Sequence, residues 1–303
     1  MNRNESVLRR LKGPVVPINI CFYDDGTVNF DAVAEYVNWL CEHQAPILLL
    51  TYGSSEFAAL TEEDVWKLTE VVGRANAGRS LFIASSGWWP ARKTRRFLAH
   101  AEAAGADAVK IQIHVWFPKT KECYLPYYDA LEGASALPLL IWGHSPPSVP
   151  LEVITALAQR EYVVGIKNDG DPFYEYYDMI RATRDMHFAV VSGGQMRNFM
   201  LGYPLGAAAY LCPIAPFRPD IALEFYRCLT EDRFRDAWQM VFRYEEPWLK
   251  AALGVDWLFA MKTAIRAQGV NYPNPNPASV KIKNPAEQEK KIRKALKDIF
   301  GIE

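Results

Sequence analysis

The chain has 303 residues, carries 34 Lys plus Arg against 35 Asp plus Glu, and is 50% hydrophobic with 13% aromatic residues. That length fits one large domain of the barrel class or two ordinary ones, and the composition excludes a disordered chain. A formal net charge of -1 gives no general attraction to polyanions, and no apolar run reaches the roughly 20 residues that span a bilayer. Neither nucleic acid nor a membrane is therefore expected as a partner.

The first residues, MNRNESVLRRLKG, have no apolar core of the kind a secretion signal needs. From Val15 onward, short apolar runs alternate with stretches of helical spacing. VVPINICF leads to FDAVAEYVNWLCEH, which places Val33, Val37, Leu40 and Cys41 on one helical face. PILLLTYG follows, and then Thr61-Glu62-Glu63-Asp64, a capping box with Asp in place of Glu. After SLFIASSG, the segment AHAEAAGADAVKI ends a helix at Gly105 and passes directly into the run AVKIQIH. LPLLIWG, VVGIK, FAVVSGG and AAAYLCP complete the series. These runs are nearly continuous in apolar character, as strands buried on both faces of a parallel sheet are.

Eight such units predict an α/β fold, a (β/α)8 TIM barrel over residues 1–230. The competing doubly wound sheet needs fewer strands and often a glycine-rich first turn, which is absent here. After Pro216 the segments DIALEFYRCL, DRFRDAWQMVFRYEEPWLKAAL, DWLFAMKTAIRAQG and PAEQEKKIRKALKDIF all read as helix. The first completes the barrel, and residues 231–303 form a small C-terminal helical region, with NYPNPNPAS as an irregular link. Trp238, Phe242, Tyr244 and Trp248 in these late helices are candidates for an exposed subunit contact, or for packing onto the barrel. The five cysteines are odd in number and form no CxxC pair, which predicts neither a disulfide framework nor a structural zinc site and fits a reducing cytoplasm.

A barrel of this kind places its chemistry at the C-terminal ends of the strands. That rule selects Tyr52-Gly53-Ser54-Ser55-Glu56, Gly87-Trp88-Trp89, His114-Val115-Trp116, Trp142-Gly143-His144, Lys167-Asn168-Asp169, Ser192-Gly193-Gly194 and Cys212-Pro213. Lys167 ends the run VVGI, where poor solvation of its ammonium favours a neutral, nucleophilic amine. Pairing with Asp169 or Asp171 is the alternative. The small residues Gly53, Ser54 and Ser55 form a turn whose N–H groups and hydroxyls suit a carboxylate, or simply a capped turn. Arg218 is either a grip for a distal carboxylate or one half of a surface ion pair.

The succession VVPINICF, GSSEFAALTEED, AEAAGADAVKI and GIKNDGD resembles the dihydrodipicolinate synthase / N-acetylneuraminate lyase family of class I aldolases, from about Gly13 to Gln268. WLCEHQAPILLL, SSEFAAL and MKTAIRAQG are most similar to the branch that contains 5-dehydro-4-deoxyglucarate dehydratase. The resemblance implies a homo-oligomer, commonly a tetramer, that binds a 2-oxo acid as an imine on the lysine of the sixth strand, which Lys167 matches. It also implies that the G-T-T-G-E carboxylate motif falls on Tyr52 to Glu56. Ser54 and Ser55 would then hold the acid, while Gly53 stands where a proton-relay hydroxyl is usual.

The sequence departs from the family pattern on two strands. Trp142-Gly143 stands where the fifth-strand tyrosine is expected, and Ile113-His114-Val115 where the fourth-strand tyrosines are. An indole N–H donates a hydrogen bond but is no acid or base near neutral pH. No arginine follows in SPPSVP, so lysine biosynthesis is not expected. His144 is the leading substitute for proton transfer, with His114 second; each is otherwise a hydrogen-bonded wall residue. Trp88, Trp89, Trp116 and Trp142 line the pocket or stack on the substrate. Gly193 and Trp142 join Gly53, Ser54, Ser55 and His114 as candidate substrate contacts. The expected activity is a cofactor-free and metal-free Schiff-base lyase acting through Lys167 on a 2-oxo acid, breaking a carbon–oxygen or carbon–carbon bond. A barrel that has lost turnover and serves as a ligand-binding or regulatory protein is the other reading.

Overall fold

Parallel strands built almost wholly of apolar residues need cover on both faces, and a closed barrel wrapped by helices supplies it. A computed structural model describes residues 2–114, 116–143, 148–168, 172–278 and 281–302. Among them, eight strands pair in parallel in chain order: β1 (Gly13–Pro17), β2 (Ile47–Leu49), β3 (Leu81–Ser85), β4 (Ala108–Ile111), β5 (Leu139–Gly143), β6 (Val163–Asn168), β7 (Ala189–Ser192) and β8 (Ala209–Leu211). β8 returns to β1, with Val15 beside Leu211, and closes the barrel. No helix among the described residues is long and apolar enough to cross a membrane.

Helix α1 (Arg3–Arg10) lies under the barrel, where Val7 packs with Leu11 and the inward residues Val15, Ile47, Leu81 and Ala108. The outer helices are α2 (Phe30–Glu42), α3 (Glu62–Asn76), α4 (Ala91–Ala103), α5 (Lys121–Asp129), α6 (Leu151–Ala158), α7 (Phe173–Thr183), α8 (Gln195–Gly202) and α9 (Pro219–Thr230). The helix starts follow the local chemistry. Thr61 accepts from the N–H of Asp64 while the Asp64 carboxylate accepts from the N–H of Thr61, the reciprocal box expected from sequence. Along α2, Val33, Val37 and Leu40 are fully buried, and Cys41 is half-buried at the rim of that face.

Inward and outward residues alternate along each strand, with one interruption. Leu139 pairs with Val163 but Leu140 pairs with Gly165, so β6 holds one extra residue against β5. Val164 belongs to the inner layer, whereas Val163 and Ile166 both belong to the outer one. The bulge therefore reverses the facing of the strand and sets Lys167 beside the inward Trp142. Gly165 sits at the bulge because a Cβ there would lie 2.6 Å from the carbonyl oxygen of Ala189.

Beyond the barrel come α10 (Phe234–Met240), a π-helical turn (Val241–Glu245), α11 (Glu246–Leu253), α12 (Trp257–Arg266) and α13 (Pro285–Phe300). Trp248 is fully buried, donates its indole N–H to the carbonyl of Pro213 at 3.2 Å, and packs on Phe217. That corrects the expectation of an exposed Trp248; of the four late aromatics only Phe242 is exposed, while Trp238 and Tyr244 are half-buried. Glu245, also fully buried, accepts from the N–H groups of Met196 and Arg197 and so caps α8 from the C-terminal part.

Candidate active site

Lys167 stands at the end of β6 inside the barrel mouth, only 7% exposed. Burial pushes its amine down from the ordinary 10.5 to about 8, so a sizeable neutral fraction exists near neutral pH. An amine in that state can add to a carbonyl carbon. The sequence expectation offered Asp169 or Asp171 as ion partners for it, and those residues lie outside the described ones, as does His144.

Above Lys167 the mouth is aromatic. Tyr52 and Trp88 stack at 4.6 Å between ring centres, and Trp142 lies nearly parallel to both, at 5.8 and 6.4 Å. His114 packs edge-on against Trp88 at 5.0 Å, and its Nδ1 accepts from the N–H of Trp116. These rings come from the ends of β2, β3, β4 and β5, elements far apart in the chain. Trp142 is 6% exposed, whereas Trp116 is 85% exposed and faces solvent. Trp89 turns outward onto Trp66 and Phe97, away from the stack. Burial also lifts the Tyr52 phenol above its usual range.

The turn after β2 divides its hydrogen bonds unevenly. The Ser55 hydroxyl donates to the carbonyl of Ile18 at 2.6 Å and accepts from the N–H of Thr51, while its own N–H bonds to the Thr51 carbonyl. Both Ser55 donors are thus committed inside the fold, which corrects the expectation that Ser55 offers one to a carboxylate. The N–H groups of Gly53 and Ser54 and the Ser54 hydroxyl have no partner among the described residues. Two successive free N–H groups beside a hydroxyl suit an anion. Gly53 is exposed, and a Cβ built on it meets nothing within 4 Å. Gly193 follows β7 in the half-buried turn before α8. Arg218 forms an ion pair with Asp220 and donates to the carbonyl of Phe300, the structural one of its two readings.

Two residues of the site and one contact of a third, Glu56, escaped sequence reasoning. Lys110, on β4, is fully buried, its Nζ lies 5.1 Å from the centre of the Trp142 ring, and it has no hydrogen-bond partner among the described residues. Gln112, two residues on, donates to Ser86, and its buried Oε1 has no partner among the described residues. Glu56, at φ 49°, pairs with buried Lys262 of α12 and accepts from the N–H of Ala278, which clamps the β2–α3 turn to the C-terminal part. A charged residue inside an apolar run was the available signal for Lys110, the same signal that singles out Lys167. No group of three or more His, Cys, Asp or Glu gathers among the described residues to hold a metal.

The profile of the Dihydrodipicolinate synthetase family matches residues 10–299, nearly the whole chain. The chain belongs to that family. Its dihydrodipicolinate synthetase relatives are distant: the 4-hydroxy-tetrahydrodipicolinate synthase of Gluconacetobacter diazotrophicus is 25% identical over 231 residues, 75% of this chain and 77% of the relative. The probable 5-dehydro-4-deoxyglucarate dehydratase 1 of Streptomyces coelicolor is 24% identical, over 86% of this chain and 84% of its own. Among solved structures, the dihydrodipicolinate synthase of Oceanobacillus iheyensis superposes with a TM-score of 0.84 at 19% identity, covering 98% of this chain and 99% of its own. The N-acetylneuraminate lyase of Mycoplasma synoviae gives 0.85 at 19% identity over 97% and 99%. These two structural likenesses establish the barrel with its C-terminal helical part. The named relatives include a synthase, a dehydratase and a lyase, so the family alone does not fix the substrate.

Proposed function

We propose that this protein is a Schiff-base lyase that binds a 2-oxo acid covalently on Lys167 and breaks a carbon–oxygen or carbon–carbon bond in it. The observation that carries the reading is the buried Lys167 amine at the end of β6, lowered to about 8 by loss of solvent. The amine adds to the keto carbon, water leaves, and the protonated imine withdraws electrons from the neighbouring carbon. Ser54, with the N–H groups of Gly53 and Ser54, holds the carboxylate. Tyr52, Trp88 and Trp142 present flat apolar faces to the rest of the acid and keep water from the imine. His114 borders this wall, and Gly193 leaves room on the opposite rim. A keto-deoxy sugar acid fits the dehydratase relatives, and pyruvate is the smallest acid with the required chemistry.

Borohydride reduction in the presence of pyruvate or a keto-deoxy sugar acid is expected to add the acid's mass at Lys167, located by peptide mass spectrometry. Saturable, fully dissociable binding with no adduct would replace this reading with that of a ligand-binding barrel. Trp142 and Gly53, which carry no hydroxyl to relay a proton, support that second reading.

We further infer a homo-oligomer, dimer or tetramer, in a reducing cytoplasm. The exposed Trp116, Phe117, Phe173 and Tyr174 support the first, and five free thiols the second. A stable monomer in sedimentation at micromolar concentration would refute the assembly.

A further inference from the structure

Lys110 has no role in the chemistry so far described, yet the fold keeps it at a considerable cost. Its side chain is fully buried on the inner face of β4, between outward-facing Val109 and Ile111. In register it neighbours Ser85 on β3, whose hydroxyl is spent on the carbonyl of Leu50, and Leu140 on β5. Its amine reaches toward the mouth, 5.1 Å from the centre of the Trp142 ring, and Trp142 is the strand neighbour of Lys167. The buried acid of the adjoining turn, Glu56, is turned away to Lys262 and Ala278. An ammonium with no hydrogen-bond or carboxylate partner among the described residues is expensive in such a place, and the charge of Lys167 adds to burial in holding Lys110 well below the ordinary lysine range. A methionine or leucine would fill the same space without that cost. What the lysine provides instead is a neutral amine, which is a base, beside the carbon skeleton of anything joined to Lys167.

We propose that Lys110 is the base that takes the C3 proton from the iminium formed on Lys167. The assignment rests on the Schiff-base reading given above. In the step, the C3–H bond breaks and its proton goes to the Lys110 amine. Its electron pair becomes the C2–C3 double bond, while the C=N pair moves onto the Lys167 nitrogen. The products are a neutral enamine and a Lys110 ammonium. In a dehydration, the enamine then expels the C4 hydroxyl, which leaves as water with the proton from Lys110, and the base is restored.

The test uses pyruvate in deuterium oxide, with methyl exchange followed by NMR and the imine trapped by borohydride in parallel. The wild-type protein is expected to show both. Lys110→Met is expected to trap the imine at Lys167 but to exchange about 100-fold more slowly or worse, the usual size of a lost proton-transfer group. Lys110→Arg should lose exchange equally, because a guanidinium keeps its proton at every working pH; it also carries the test should Lys110→Met fail to fold. Wild-type exchange rates in both variants overturn the assignment and leave the lyase reading intact. An imine in the wild type without C3 exchange, or a folded Lys110→Met that forms no imine, likewise overturns it. Absence of any adduct in the wild type removes the lyase reading itself, and the role of Lys110 with it.

Discussion

Lys262 and Lys110 are both fully buried, yet among the described residues only Lys262 has a carboxylate paired with it in the interior. Lys262 pairs with Glu56, donates to the carbonyl of Asn276 at 3.1 Å, and lies 4.8 Å from the centre of the Phe22 ring. Burial pulls its amine down, but Glu56 opposes the shift. Lys110 has the burial and a second lysine as neighbour, and among the described residues no carboxylate pairs with it; the Trp142 ring is its one cation–π contact there. The first arrangement fastens a loop to a helix. The second keeps an amine available, and burial likewise lowers the amine of Lys167. A buried lysine is therefore informative according to what accompanies it, and the barrel mouth and the C-terminal clamp differ in that respect.

The sharpest break in this comparison is Lys167→Ala, which should reduce turnover on the order of 10⁴-fold or more and abolish the borohydride adduct, the scale of losing a covalent nucleophile. Next, Glu56→Ala strands Lys262 as an unpaired buried ammonium, and a loss of about 3–5 kcal/mol in urea unfolding is expected. The titration of Lys167 comes third. Its folded value of about 8 lies below the 10.5 of the unfolded chain, so the unfolded state binds more protons between those values. The destabilisation is fully present below about pH 8 and is relieved as pH rises toward 10.5, by about 3 kcal/mol in total. The difference between wild type and Lys167→Met across pH 7 to 10 isolates it, and trapping by pyruvate should quicken over the same rise near pH 8.

Lys110→Met is expected to move stability the opposite way from Glu56→Ala, raising it on the order of 1–3 kcal/mol because an unsatisfied polar group is removed. A loss of that size would mean that the amine has a partner in solution and that the two lysines are alike. The smallest effect is at Gly53. Its position is open and its φ lies outside the left-handed region, so Gly53→Thr should leave the unfolding midpoint within about 0.5 kcal/mol. It would place a hydroxyl on the exposed turn beside Ser54, making it a low-cost probe of proton transfer at the mouth.

What the sequence determined by itself was the repeating unit. Continuous apolar runs, the Thr61 capping box and the turn at Gly105 specify strands, helices and their order, because each depends on neighbours within a few residues. The placement of Lys167 at a strand end was legible for the same reason. Its facing was not. Without the extra residue in β6, the alternation that puts Val164 inside would have put Ile166 inside too and turned Lys167 toward the helices. A bulge is a property of two strands in register, and no single run of residues records it. Ser55 read as a ligand donor until its hydroxyl met Ile18, and Lys110 read as part of an apolar strand until its amine proved to have no hydrogen-bond partner among the described residues. Glu56 found Lys262 only through the packing of α12 against the β2–α3 turn. Hydrogen bonding and desolvation depend on which distant groups arrive at one point, and the tertiary structure alone decides that.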